Sequence, residues 1–303
     1  MPINTGDFAK ALQPGVNKWW GLAYQEHPIE YKDLFGSFTS KKAYEEDVLA
    51  TGFGLAPVKT QGGTVKYDTH QQGYVTRYVN IRYALGYILT EDELDDNQYP
   101  QDLAKKRTIA LAFSMRQTKE NIAANVYNRA FDSDYTGGNG VEMISTAQVT
   151  KNGTQSNHLA IPADLSEASI EDLLIQIGAA VNDRGLKISL IGQSLHIPYN
   201  LNFKAERILK SVLRVDTANN DINALRNMGM LPGGAMINHY FTDTDAFFIR
   251  TNCPDGMKMF QRKALSAPQQ DNDFDTANLK MKTDERYAFG WTDWRGVYGS
   301  PGV

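Results

Sequence analysis

Two neighbouring stretches of this chain are each too long for an ordinary compact domain. Residues 75–89 (VTRYVNIRYALGYIL) predict one unbroken strand, and residues 100–131 predict one unbroken helix. The strand would span roughly 50 Å at about 3.3 Å per residue. The helix would span about 48 Å at about 1.5 Å per residue. A compact chain of 303 residues has a radius of gyration of only about 19 Å. Each element would therefore cross the whole molecule. Such struts predict a flat or elongated plate with a projecting arm, a shape stabilised by its neighbours.

The region around the strand reads as a long hairpin over residues 54–89. Val65, Tyr67 and Thr69 alternate on the outgoing side, and His70 to Gly73 supply the turn. The return strand alternates Val75, Arg77, Val79, Ile81, Tyr83, Leu85, Tyr87 and Leu89 on one face, a period of two rich in β-branched and aromatic residues. Near the tip both faces carry polar or charged groups (Lys66, Asp68, Arg77, Asn80, Arg82), and the pattern turns apolar only from Leu85 to Leu89. The tip is expected to project. An isolated two-stranded hairpin is marginal in water, so it needs a surface to rest on.

The acidic run Glu91, Asp92, Glu93, Asp95, Asp96 precedes the long helix. Negative charge is favoured at a helix N-terminus and Pro100 fits a first turn, so capping is preferred to a metal site. The helix carries a broken apolar stripe (Leu103, Ala110, Phe113, Ile122, Val126, Ala130) and basic residues Lys105, Lys106, Arg107, Arg116, Lys119 and Arg129. So narrow a stripe leaves one side wet or facing another molecule. Residues 1–50 hold aromatics without periodicity, apart from a short predicted helix at Asp7–Leu12. They read either as a strap on their own domain or as an arm reaching a neighbour.

Residues 166–262 look like a separate α/β unit. A helix starts at Ser166 or at a Ser169/Asp172 capping box, places Ile170, Leu173, Leu174, Ile177 and Val181 on one face, and stops at Gly185. Residues 187–192 (KISLIG) predict a buried strand, and 202–213 a helix with Ala205, Ile208, Leu209 and Val212 inward. Residues 246–250 and 257–262 predict paired strands around Asn252–Gly256. A late strand with Tyr287, Phe289 and Trp291 on one face is expected to join a sheet begun earlier and tie the chain's end to the long helix.

Chemical signatures are missing. A net charge of −4 provides no basic field for a dedicated nucleic-acid binder. Cys253 is the only cysteine, which rules out an intramolecular disulfide and fits a reducing compartment. It reads as a small hydrophobe. The N-terminal residues lack a signal-peptide pattern and no 18-residue apolar run occurs, so a membrane span is not expected. The five histidines show no zinc spacing. Asp271, Asp273 and Asp275 mimic a calcium loop, but Thr276 and Lys282 stand where glycine and glutamate are required. No catalytic, cofactor or metal residue is assigned.

The order of parts carries the resemblance. A loose arm, a projecting hairpin, an acidic link, a long helix, an α/β unit and terminal strands follow one another, with local sequences Gly6-Asp7-Phe8-Ala9-Lys10, Tyr31-Lys32-Asp33-Leu34-Phe35 and Asp293-Trp294-Arg295-Gly296. Essentially the whole chain resembles the major capsid proteins of tailed bacteriophages, the Hong Kong 97 type. The resemblance implies an α+β fold with an N-terminal arm (1–53), an extended β-hairpin loop (54–95), a peripheral domain with the spine helix (96–162 and 261–303) and an axial domain (163–260). It implies a non-enzymatic subunit without cofactors that self-assembles into an icosahedral shell around double-stranded DNA, built in the host cytoplasm and located in the virion. The implied partners are copies of itself in pentamers and hexamers, a portal, decoration proteins, packaged DNA by non-specific contact, and a separate scaffold protein unless the chain is a mature form. No membrane is involved. Lys59, Lys66, His70, Gln72, Arg77 and Arg82 are the implied subunit-contact residues. No acceptor for a lysine–asparagine cross-link can be matched. Two alternatives stay open: an encapsulin-like compartment shell, and a cytosolic α/β enzyme or ligand-binding protein with its pocket in 166–262.

Overall fold

The computed structural model describes residues 16–21, 28–90, 92–93, 100–214, 221–272 and 278–303. The predicted helix at Asp7–Leu12 and most of the acidic run at 91–96 fall outside them. The first half of the chain holds α1 (Tyr31–Leu34), β1 (Gly36–Thr39), β2 (Tyr44–Thr51), β3 (Gln71–Val79), β4 (Ile81–Leu89) and the long helix α2 (Pro100–Asn128). Next come β5 (Gln148–Thr150), β6 (Gly153–Gln155), α3 (Glu167–Gly178), β7 (Gly192–Pro198), α4 (Asn202–Lys210) and α5 (Ala224–Met228). The remaining strands are β8 (Ala235–Asn238), β9 (Phe247–Thr251), β10 (Met257–Lys263), β11 (Gln269–Asn272), β12 (Leu279–Trp291) and β13 (Val297–Ser300).

Two sheets organise these elements. The first has the order β1-β10-β12-β11, with β4 also paired to β12. The late strand β12 is its backbone: Leu279 to Tyr287 run antiparallel to Tyr87-containing β4, from Leu89 back to Ile81. Leu279, Met281, Thr283, Glu285 and Tyr287 alternate inward. The second sheet has the order β13-β9-β7-β8. It packs on α3, whose Ile170, Leu173, Leu174 and Ile177 join Leu195, Ile197, Phe247 and Ile249 in one core. A second core joins the C-terminal half of α2 (Ala123, Tyr127) to both sheets through Met259, Tyr287, Phe248 and Val297.

Several expectations need correcting. Residues 75–89 are not one strand. The chain kinks at Asn80, which is 2% exposed. Its side-chain amide donates to Ser40 Oγ (2.9 Å) and to the Lys42 carbonyl (3.1 Å), while its own carbonyl accepts from Arg286 Nε (2.8 Å). These bonds turn the chain out of one sheet and into another. β3 pairs with β2 rather than with residues 65–69, so the hairpin base lies at residues 44 and 79. Residues 52–70 form its tip without strand pairing.

The expected strand 187–192 lies further on, at 192–198. Val181 bridges back to Lys187 and Ser189 takes a positive φ of 50°, which breaks the extended run first. The strands at 247–251 and 257–263 do not pair with each other. β9 joins β7 and β13, whereas β10 joins β1 and β12. The turn between them is a crossover, because Gly256 lies against Gly296: a Cβ built on it would stand 2.8 Å from the Gly296 Cα. α3 is capped by Ser166, with Ser169 completing the capping box, and it ends near Gly178 rather than Gly185. α4 stops at Lys210, which leaves Val212 exposed. In α2 the inward positions are Ala104, Thr108, Leu111, Ala112, Met115, Arg116, Lys119, Glu120, Ala123, Ala124 and Tyr127, whereas Ala110 and Phe113 face outward.

Candidate assembly surface

A polar network fixes the base of the hairpin to the first sheet. Thr292 Oγ1 donates to Asp47 Oδ2 (2.7 Å) and therefore accepts from the Tyr78 hydroxyl (2.6 Å). Lys258 Nζ bonds Asp47 and also Asp255 (2.8 Å). Burial pushes the Asp47 carboxyl up, but hydrogen bonds from Lys258 and Thr292 outweigh it and hold the group below its usual range. Tyr78 lies flat against Gly290, where a Cβ would sit 2.9 Å from the ring. Gly290→Ala should therefore displace a buried tyrosine and cost about 1–3 kcal/mol, readable as a lower midpoint in denaturant unfolding.

The ribbon has one anchored face and one open face. Glu45, Asp47, Leu49, Tyr74, Thr76 and Tyr78 turn toward the body, whereas Tyr44, Val48, Val75 and Val79 point to solvent. Between the outward residues Arg77 pairs with Glu46 (2.5 Å) and lies 4.5 Å over the Tyr44 ring. On β4, exposed Ile81 and Leu85 share one face and exposed Ile88 lies on the other. At the tip, Leu55 is 81% exposed, Val58 94% and Tyr67 91%. Three large apolar side chains in water on a segment without strand pairing indicate a surface built to be covered.

The six polar residues singled out from the sequence are all exposed, but they do not converge. Lys59 and Lys66 sit in the tip, and His70 lies 5.8 Å from the Phe53 ring. The Gln72 carbonyl accepts from Lys151 Nζ (2.9 Å), Arg77 belongs to the ribbon, and Arg82 approaches Asp284 (3.5 Å). Sequence reasoning put Val65 and Tyr67 on a strand and missed Leu55 and Val58 of the tip. The available signal was the run Phe53–Val58, apolar but without any strand or helix period.

No protein-family model matches the chain, and no curated protein resembles it closely enough to count. Solved structures do match. The capsid of a native GTA particle superposes with a TM-score of 0.56 at 12% identity, covering 89% of each chain. The capsid of Myoviridae phage XM1 gives 0.56 at 11% identity, over 91% of this chain and 92% of that one. This chain has the Hong Kong 97-type capsid fold. A virus-like particle from Pyrococcus furiosus also matches, with a TM-score of 0.51 at 11% identity, over 94% of this chain and 97% of that one.

The basic residues of α2, with Arg129 just beyond it, fall into three groups, Arg107 being half-buried against Glu93 and the Ile88 carbonyl. Lys105, Lys106 and Arg129 are exposed. Arg116 and Lys119, expected on a side that is wet or faces another molecule, are only 2% and 1% exposed. Lys119 Nζ bonds Glu285 Oε2 on β12 (3.1 Å) and lies 4.9 Å over the Tyr287 ring. Arg116 pairs with Glu120 (3.4 Å). Glu120 in turn accepts the backbone N–H groups of Tyr31 (2.9 Å) and Glu30 (3.3 Å), fastening the start of α1 to α2. Burial pushes the Glu120 carboxyl up to about 7.

Among the described residues, neither the Ser194–His196 pair nor Cys253 is poised for nucleophilic chemistry. Ser194 and His196 share a 2.8 Å hydrogen bond, but both are buried, and burial pushes the imidazole down to about 3. Burial pushes the Cys253 thiol up to about 12, far from a reactive thiolate. Among the described residues no group of three or more His, Cys, Asp or Glu side chains could hold a metal ion. No described helix is long and apolar enough to cross a membrane.

Proposed function

We propose that this chain is a structural shell subunit, a major capsid protein whose copies close into an icosahedral shell around double-stranded DNA. The carrying observation is the extended loop, firmly anchored at its base yet presenting uncovered apolar side chains at its tip. Laid on the next copy, that tip would bury Leu55, Val58 and Tyr67. Lys59, Lys66, His70, Gln72, Arg77 and Arg82 would form the polar rim of the same contact. Head-to-tail contacts that close by rotation give rings, and specific interfaces bury about 1,600 Å² in total, so several modest contacts per subunit add up to a shell.

The parts take corresponding roles. The arm comprises the residues before β2, the extended loop runs from β2 through β3, and the first sheet with the spine helix forms the peripheral domain. The second sheet forms the axial domain, and its pairing of β13 with β9 supports placing the last strand there. With Arg116 and Lys119 engaged inside the protein, counterion contact with packaged DNA falls to Lys105, Lys106 and Arg129, and carries no sequence readout. A scaffold, a portal and decoration proteins complete the assembly, which forms in the host cytoplasm and persists as the virion.

A second reading, a compartment shell enclosing protein cargo, is favoured by the likeness to the virus-like particle of Pyrococcus furiosus over nearly all of that chain. Sedimentation and negative-stain electron microscopy of the purified protein, with and without its neighbouring gene products, should reveal pentamers, hexamers or megadalton shells. A sharp monomer peak across a wide concentration range would overturn both readings. Nuclease-protected DNA in the particles selects the capsid, and enclosed protein without DNA selects the compartment.

A further inference from the structure

The neck of the extended loop is held within its own chain by two basic residues. Arg184 Nη1 stands 3.2 Å and 3.3 Å from the two carboxylate oxygens of Asp68, and Arg184 also donates to the Thr69 carbonyl. Asp68 spans the neck: Oδ2 accepts the Gly54 N–H (2.8 Å) and Oδ1 the Thr69 N–H (2.9 Å). Lys151 Nζ donates to Gln71 Oε1 (3.1 Å) and to the Gln72 carbonyl (2.9 Å).

Both basic residues stand on fixed ground. Asn182 Oδ1 accepts the N–H groups of Arg184 and Leu186 (2.9 Å each), which closes the turn. Asp183 in that turn is bonded by Arg295 Nη2 (2.9 Å), an arginine buried in the body. The turn that carries Lys151 abuts the same place, since a Cβ on Gly185 would lie 2.6 Å from Asn152 Nδ2. The two basic groups thus form one post beside the loop neck.

These contacts cover none of the apolar tip, because Leu55, Val58 and Tyr67 stay in water. They position the loop without masking it. We propose that Arg184, with Lys151 beside it, is an intramolecular strut that holds the loop tip in a presenting pose before assembly. The consequence for assembly rests on the shell reading above, but the strut itself does not. A loop already ordered loses less conformational freedom on docking. Exposed ion pairs weaken with salt, so the strut makes assembly depend on ionic strength.

The test compares the parent, Arg184→Glu, Lys151→Ala and the charge-conserving Arg184→Lys, which leaves Asp68 and its bonds to the Gly54 and Thr69 N–H groups in place. Nitroxide labels on Val58→Cys and Ile175→Cys, two exposed positions, report the loop's distance distribution in the unassembled subunit. Light scattering of unlabelled protein reports assembly. The distribution should broaden in Arg184→Glu and, to a smaller extent, in Lys151→Ala. Assembly of Arg184→Glu should slow by at least about threefold, and Arg184→Lys, which keeps a cation beside Asp68, should stay closer to the parent in both quantities. An unchanged distribution in Arg184→Glu, or one in Arg184→Lys as broad as in Arg184→Glu, overturns the strut. A broadened distribution with unchanged assembly rate overturns its role in presentation. If the parent itself never assembles, the shell reading fails, while the label distances still decide for or against the strut.

Discussion

Lys119→Met should lower the unfolding free energy by about 3–5 kcal/mol, the usual cost of leaving one partner of a buried ion pair alone. Lys119 and Glu285 are 1% and 0% exposed, so Glu285 would be left inside the protein without its nearest counter-charge. Urea unfolding measures the loss. The double variant Lys119→Met/Glu285→Leu should recover most of it, because well-packed apolar replacements of buried pairs are often neutral or better. If the double variant is as unstable as the single one, the lost quantity is packing against Tyr31 and Tyr287 rather than charge.

The same substitution has a defined pH dependence. Burial pushes the Glu285 carboxyl above its ordinary value, and the Lys119 ammonium is the main group pulling it back. A carboxyl with a raised folded-state value binds protons more readily in the folded chain, so stability falls as pH rises through that value. Removing Lys119 raises the value further. The penalty of Lys119→Met should therefore be larger at about pH 8 than at about pH 5. An equal penalty at both would mean that Glu285 is already neutral or has found water.

This pair also marks where the sequence stops being readable. Elements that obey a single period could be recognised: β12 alternates from Leu279 to Tyr287, and α2 has no glycine or proline after Pro100. Charge ordinarily reports exposure, so Arg116 and Lys119 read from the sequence as facing water or another molecule. Their partners, Glu120 and Glu285, become visible only once β12 is laid on the helix. Asn80 failed in a similar way. It sits mid-pattern between two good strand sequences, and only its tertiary bonds to Ser40, Lys42 and Arg286 turn the chain there. Asn252–Gly256 has the composition of a hairpin turn, but the contact of Gly256 with Gly296 makes it a crossover. The candidate surface was half legible. Projection of the loop was expected from its polar tip, whereas Leu55 and Val58, among the side chains most open to a partner, follow no period, and Tyr67 belongs to an expected strand that does not form.

Replacing residues 55–67 with a glycine–serine linker of equal length should abolish particle formation while leaving the fold nearly unchanged. The segment contributes no strand pairing and its apolar side chains already lie in water. Loss of fold stability should stay within about 1 kcal/mol, as for other exposed positions. A cut extending to residue 80 would be a different experiment, because it removes β3 with the buried Tyr78 and Asn80 and so attacks the first sheet itself. Assembly responds on another scale. One buried anchor is commonly worth about 2 kcal/mol or more in binding, which is about thirtyfold in affinity, and every subunit in a ring repeats the contact. Analytical ultracentrifugation beside thermal unfolding separates the two effects. Shells formed at the parental concentration would show that the tip is not the contact, and outright unfolding would show that it belongs to the core.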